Sequence, residues 1–127
     1  MALFNIMDGA MGSELIRNGL ILPEYTWSAN INIFNPEMVK KIHRENIAAG
    51  ADFITTNTFR TTPRAYMKTG ADEKTSHNLA KDAMLRAVTI AQDAANDSTK
   101  ILGSIAPLED CYSPNLFPGN KIAAKEY

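Results

Sequence analysis

Asp8-Gly9, Thr55-Thr56-Asn57-Thr58 and Gly103-Ser104 are three clusters of small polar residues. Each directly follows a short apolar run: Leu3-Phe4-Asn5-Ile6-Met7, Phe53-Ile54 and Ile101-Leu102. A carboxylate such as Asp8 accepts hydrogen bonds from a ligand ammonium. The neighbouring Gly9 lets a ligand approach the backbone and offers an N–H to a ligand carboxylate. Together the pair suits an α-amino acid, although Asp-Gly also makes an ordinary turn. The hydroxyls of Thr56 and Thr58 and the amide of Asn57 can orient a polar ligand, with Phe59 as a wall. Threonine is equally at home in strands and asparagine in turns. Ser104, in Gly103-Ser104-Ile105-Ala106-Pro107, has the same two readings.

Strand, polar turn, helix and strand in succession is the pattern of a parallel α/β fold, in which loops at the carboxyl ends of the strands share one rim. Strands are expected near 3–7, 52–56 and 100–105, adjacent in that order, with right-handed crossovers placing the helices on one side. Asp8, Thr56 and Ser104 should then face one concave rim. A short helix is expected over 11–18, with Gly19 as its stop. Residues 20–34 show no clear period and read as a long connection. Tyr25 and Trp27 in it either pack under the first loop or close over the site. Asn35-Pro36-Glu37 starts a helix that Gly50 ends, since asparagine caps, proline suits the first turn and glutamate favours the positive end of the dipole. Thr62-Pro63 starts another, stopped by Gly70. The longest helix is expected over 73–96, with Leu79, Ala83, Ala87, Ile90 and Ala94 as its packing stripe. Pro107, Pro114 and Pro118 mark a loop, and 120–127 reads as the beginning of a helix.

The chain has 127 residues, 45% of them apolar, which points to one domain over residues 1–127. Thirteen basic residues oppose fourteen acidic ones without forming blocks, so no electrostatic footprint for nucleic acid or an anionic membrane is present. No apolar stretch approaches the roughly 20 residues that span a bilayer. The N-terminus lacks the pattern of a secretory signal, and Cys111 is the single cysteine, so a reducing, cytoplasmic location is the expectation.

Taken together, Asp8-Gly9-Ala10-Met11-Gly12-Ser13-Glu14-Leu15, Ile42-His43, Ala49-Gly50-Ala51-Asp52, Thr56-Asn57-Thr58-Phe59 and Gly103-Ser104-Ile105-Ala106-Pro107 resemble the homocysteine S-methyltransferase family in order and spacing. The resemblance runs from the first strand to about Pro118. Leu108-Glu109-Asp110-Cys111-Tyr112 is similar to the branch without cobalamin modules. The resemblance implies the N-terminal portion of a (β/α)8 TIM barrel, about three parallel strands with flanking helices. It also implies transfer of a methyl group from S-methylmethionine or S-adenosylmethionine to the homocysteine thiol, giving methionine. Asp8, Gly9 and Thr56 would hold the amino-acid end of homocysteine, with Asn57, Thr58 and Ser104 as further pocket residues.

In the complete family enzyme, zinc binds the thiol as thiolate and lowers its pKa. The resemblance implies three cysteine ligands from late strands, one in a Gly-x-Asn-Cys and two in a Gly-Gly-Cys-Cys context, and a pocket glutamate from a fourth strand. None of these has a counterpart in the chain. One thiolate does not make a zinc site, so Cys111 reads as a non-ligand and no metal is expected on this chain. His43 falls on the packed Val39/Ile42/Asn46 face and His77 on a surface.

A full barrel needs eight strands and roughly 250 residues. The expectation is therefore a partial barrel carrying the amino-acid-binding half, inactive alone. It would be an artificially shortened chain, a truncated gene product or one piece of a split protein. Self-association, or a complementary C-terminal half, would cover its open edge. The rival readings are a small α/β ligand-binding module without metal and a non-enzymatic interaction protein derived from a barrel.

Overall fold

Asn35, Thr62 and Asp72 each stand one residue before a helix, and each side chain accepts a hydrogen bond from a backbone N–H of the first turn. The donors are Met38 at 3.3 Å, Ala65 at 3.3 Å and Thr75 at 3.0 Å. These caps satisfy donors that a helix start leaves unpaired. In the computed structural model, which describes residues 4–127, they open α3, α4 and α5. In chain order the elements are α1 (Met11–Arg17), a 3-10 turn (Trp27–Asn30), α2 (Ile31–Phe34), α3 (Pro36–Ala48), β1 (Phe53–Thr55), α4 (Pro63–Met67), α5 (Glu73–Ala94), β2 (Lys100–Leu102), a second 3-10 turn (Pro114–Leu116) and α6 (Asn120–Glu126). Gly50 stops α3 at φ +106°, a left-handed conformation that side chains disfavour.

β1 and β2 pair in parallel, with Phe53 opposite Lys100, Ile54 opposite Ile101 and Thr55 opposite Leu102. The expected first strand is reduced, among the described residues, to one parallel bridge between Met7 and Phe53. The chain there still runs alongside β1: the N–H groups of Asp52 and Phe53 donate to the Ile6 carbonyl, and the Asp8 N–H donates to the Phe53 carbonyl. Phe4, Ile6 and Met7 are exposed, so nothing packs on this edge to hold a longer ladder. Leu3 of that expected strand lies outside the described residues. β1 and β2 are also shorter than 52–56 and 100–105, because the chain turns into the polar clusters. The neighbour order is nonetheless the expected one: first segment, β1, β2.

Side chains alternate across a strand. Ile54 is fully buried beneath the helices, while Phe53 and Thr55 face the other side, where Lys100 Nζ lies 5.4 Å from the centre of the Phe53 ring. α3 packs on β1, and α5 packs on α2, α3 and α4. The core joins Leu15, Ile31, Val39, Ile42 and Ile90, and a second cluster groups Tyr66 with Ala80 and Ala83. The alanine-rich stripe of α5 lets these helices approach closely, and Ala83, Ala87 and Ala91 are completely buried.

Residues 20–34 are not the structureless connection that their lack of period predicts. Trp27–Phe34 form a 3-10 turn running into α2. What holds them is polar: Ser28 and Asn32 are buried and hydrogen-bonded across the molecule. After β2, the proline-rich segment is tied to α4 by charge. Arg64 pairs with Glu109 at 2.7 Å and with Glu126 at 2.5 Å, and Lys68 also reaches Glu109.

Candidate functional site

A concavity of about 360 Å³ opens at the carboxyl ends of the parallel segments. Asp8 enters it one residue beyond the Met7 bridge, Thr56 one residue beyond β1 and Ser104 two residues beyond β2. In a parallel sheet the segments that leave neighbouring strands all emerge at this end, so three positions far apart in sequence meet.

Asp8 is aimed by Thr55. The Thr55 N–H donates to Asp8 Oδ2 at 2.8 Å and the Thr55 hydroxyl to Oδ1 at 2.9 Å. Each carboxylate oxygen keeps capacity for a further donor. Gly9 also lines the concavity, and a Cβ there would meet no atom within 4 Å, so the space beside it is open. Gly12 is the opposite case: a Cβ would lie 2.4 Å from Trp27 Nε1. The missing side chain lets the indole sit against α1, where Trp27 forms part of the wall with an unusual φ of +49°.

Asn57 lines the concavity, but its amide is used inside the protein. It donates to the Ser28 carbonyl at 2.8 Å and to Asn32 Oδ1 at 2.9 Å, and accepts from the Ser28 hydroxyl at 2.6 Å. Both donors are spent, and Asn57 is nearly inaccessible. Thr58 stands behind the wall. Its hydroxyl donates to the Ser104 carbonyl at 2.7 Å and meets the Ser104 N–H at 3.2 Å, clasping one strand-end loop to the next. The structure thus brings Asp8, Gly9 and Ser104 to the cavity with open surface and Thr56 to its wall nearly buried, and it commits the side chains of Asn57 and Thr58 to bonds within the protein.

Sequence reasoning did not single out Thr55, Ser28 or Asn32 as site residues. Thr55 had a signal, since it directly precedes Thr56 in the same cluster. Ser28 and Asn32 had none, because their partners lie 25 or more residues away.

His43 is fully buried on α3, and neither ring nitrogen has a hydrogen-bond partner among the described residues. Burial pushes its imidazole below the usual histidine range, against an opposing pull from the Asp8 carboxylate. Cys111 is exposed in the loop after β2, and His77 sits on the outside of α5 with Nδ1 2.9 Å from the Glu73 carbonyl oxygen. Among the described residues no three His, Cys, Asp or Glu side chains converge. These residues do not fit a zinc site, which needs at least three protein ligands.

A parallel α/β chain with an amino-acid-sized cleft at its strand ends defines a broad class, and comparison narrows it. Residues 5–127 match the family profile described as homocysteine S-methyltransferase, and the chain belongs to that family. It is 29% identical over 107 residues to the homocysteine S-methyltransferase of Escherichia coli K12, covering 80% of this chain and 34% of that protein. It is 34% identical over 92 residues to homocysteine S-methyltransferase YbgG of Bacillus subtilis 168, covering 72% and 28%. The fold is similar to crystal structures of the homocysteine methyltransferase MmuM from Escherichia coli. The metallated form gives a TM-score of 0.61 at 28% identity, over 81% of this chain and 38% of that one. The oxidized form gives a TM-score of 0.62. The chain spans about a third of the length of these relatives.

Proposed function

We propose that this chain supplies the amino-acid-binding wall of a homocysteine S-methyltransferase, as the N-terminal wedge of a (β/α)8 barrel. One observation carries the reading: the Asp8 carboxylate, the open space at Gly9 and the Thr56 hydroxyl meet in one cavity. Asp8, already oriented by two hydrogen bonds from Thr55, would receive the ammonium of homocysteine, and the Gly9 backbone its carboxylate. Ser104 would close the side nearest β2. Asn57 and Thr58 would act by holding the wall in place. The partners are homocysteine, a methyl donor of the S-methylmethionine or S-adenosylmethionine type, and a polypeptide supplying the remaining strands.

Activation of the thiol belongs to residues outside the described set, since no zinc-ligand set exists within it. The chain alone should therefore bind homocysteine weakly and turn nothing over. The test is titration of the purified chain with homocysteine, beside metal analysis and a methyl-transfer assay with S-methylmethionine. Weak binding that falls about tenfold or more in Asp8→Asn is the expected result, because a charge-assisted hydrogen bond is lost. Absence of binding would sink the pocket assignment. Stoichiometric zinc with turnover would show that the machinery lies within these residues.

A further inference from the structure

We propose that Thr58 is a positioning residue that fixes the proton of the Thr56 hydroxyl, and so makes the cavity wall select a cationic ligand group. The proposal rests on reading the cavity as an amino-acid site, and proton counting carries it. A carbonyl oxygen only accepts, so the 2.7 Å contact from Thr58 Oγ1 to the Ser104 carbonyl spends the single Thr58 proton. The Ser104 N–H, at 3.2 Å, occupies one Thr58 lone pair. Thr56 Oγ1 lies 2.9 Å from Thr58 Oγ1. With the Thr58 proton already placed, that contact has one polarity: Thr56 donates and Thr58 accepts.

The consequence faces the cavity. Thr56 is 5% exposed, its backbone is pinned by its N–H to the Leu102 carbonyl at 2.8 Å, and it lines the concavity. With its proton directed backwards, it presents only lone pairs forwards. Asp8 also presents only acceptors. Where Asp8 and Thr56 face it, a ligand meets acceptors that favour an ammonium over a carboxylate, while the Gly9 N–H remains for the ligand carboxylate elsewhere in the cavity. Thr58 touches no ligand, yet it decides which way the Thr56 hydroxyl points.

The test compares Thr58→Val, which keeps the shape and removes the hydroxyl, with Thr58→Ser, which restores it. Two readouts are taken on the purified 127-residue chain: exchange of the Ser104 amide proton with water, and affinity for homocysteine relative to its deamino analogue. Thr58→Val should speed Ser104 exchange and lower the homocysteine preference about threefold to fivefold, with Thr58→Ser returning both towards wild type. A purely structural role would weaken both ligands alike and leave their ratio unchanged, which overturns the proposal. Unchanged Ser104 exchange in Thr58→Val overturns it as well, without any ligand. A wild-type chain that binds neither ligand overturns the amino-acid reading of the cavity, and the selectivity with it.

Discussion

His43 carries a cost that depends on pH. Its ring is buried, with neither nitrogen partnered among the described residues, and burial holds its folded pKa below the ordinary value of 6.5. The unfolded chain therefore takes up the proton first as pH falls. The His43 contribution is intact above 6.5 and is lost progressively below it, down to the lowered folded value. Asp72 acts lower on the scale. Hydrogen bonds from the Thr75 side chain and backbone hold it below its usual 3.8, so its contribution disappears only as pH falls through that depressed value. Urea midpoints measured at about pH 7.5 and about pH 5.5 should show a drop that His43→Leu largely removes. A drop of the same size in the variant would assign the effect elsewhere. At this scale the convergence of Asp8-Gly9 and Thr56 on one cavity was legible, because each follows an apolar run and strand ends gather at one rim. The inward turn of Asn57 and Thr58 was not. Residue type shows what a side chain can bond, and only the fold shows whether that capacity is already spent.

Between elements, Asn57 is the joint. Its side chain and carbonyl tie the end of β1 to the 3-10 turn and to α2, and Asn32 continues the tie to the Ala83 carbonyl of α5 at 3.2 Å. Asn57→Ala leaves the Ser28 carbonyl, Asn32 Oδ1 and the Ser28 hydroxyl without their partner in a buried setting. The expected loss is about 3 kcal/mol or more, read as a lowered urea midpoint, because each buried unsatisfied group costs about 1–3 kcal/mol. A loss under about 0.5 kcal/mol would mean that water replaces the amide freely. The helices with a cap, a period and a glycine stop were readable: α3 and α5 stand within two residues of their expected ends. The segment from Trp27 to Phe34 was not, since what orders it is a set of long-range polar bonds rather than an apolar stripe. The first strand was overread because its apolar residues describe a buried strand, and here they meet no covering layer.

At the scale of the whole molecule, apolar side chains lie open at both edges of the sheet. Phe4 and Ile105 are 72% and 80% exposed, and β2 is a pairing edge with little cover. Apolar surface and open strand edges of this kind draw in other chains. Sedimentation should show association that rises with concentration and weakens in Ile105→Lys. A strictly monomeric chain at high concentration would argue that the face is tolerated bare. No helix among the described residues is long and apolar enough to cross a membrane. The matched relatives are about three times longer than this chain. One detail of the cavity gives the chain an optical property. Trp27 is the single tryptophan, it is partly exposed, and its indole edge stands on the cavity wall against Gly12. All tryptophan emission from this protein therefore originates at the cavity, and a guest entering it changes the colour and intensity of that light without any added dye.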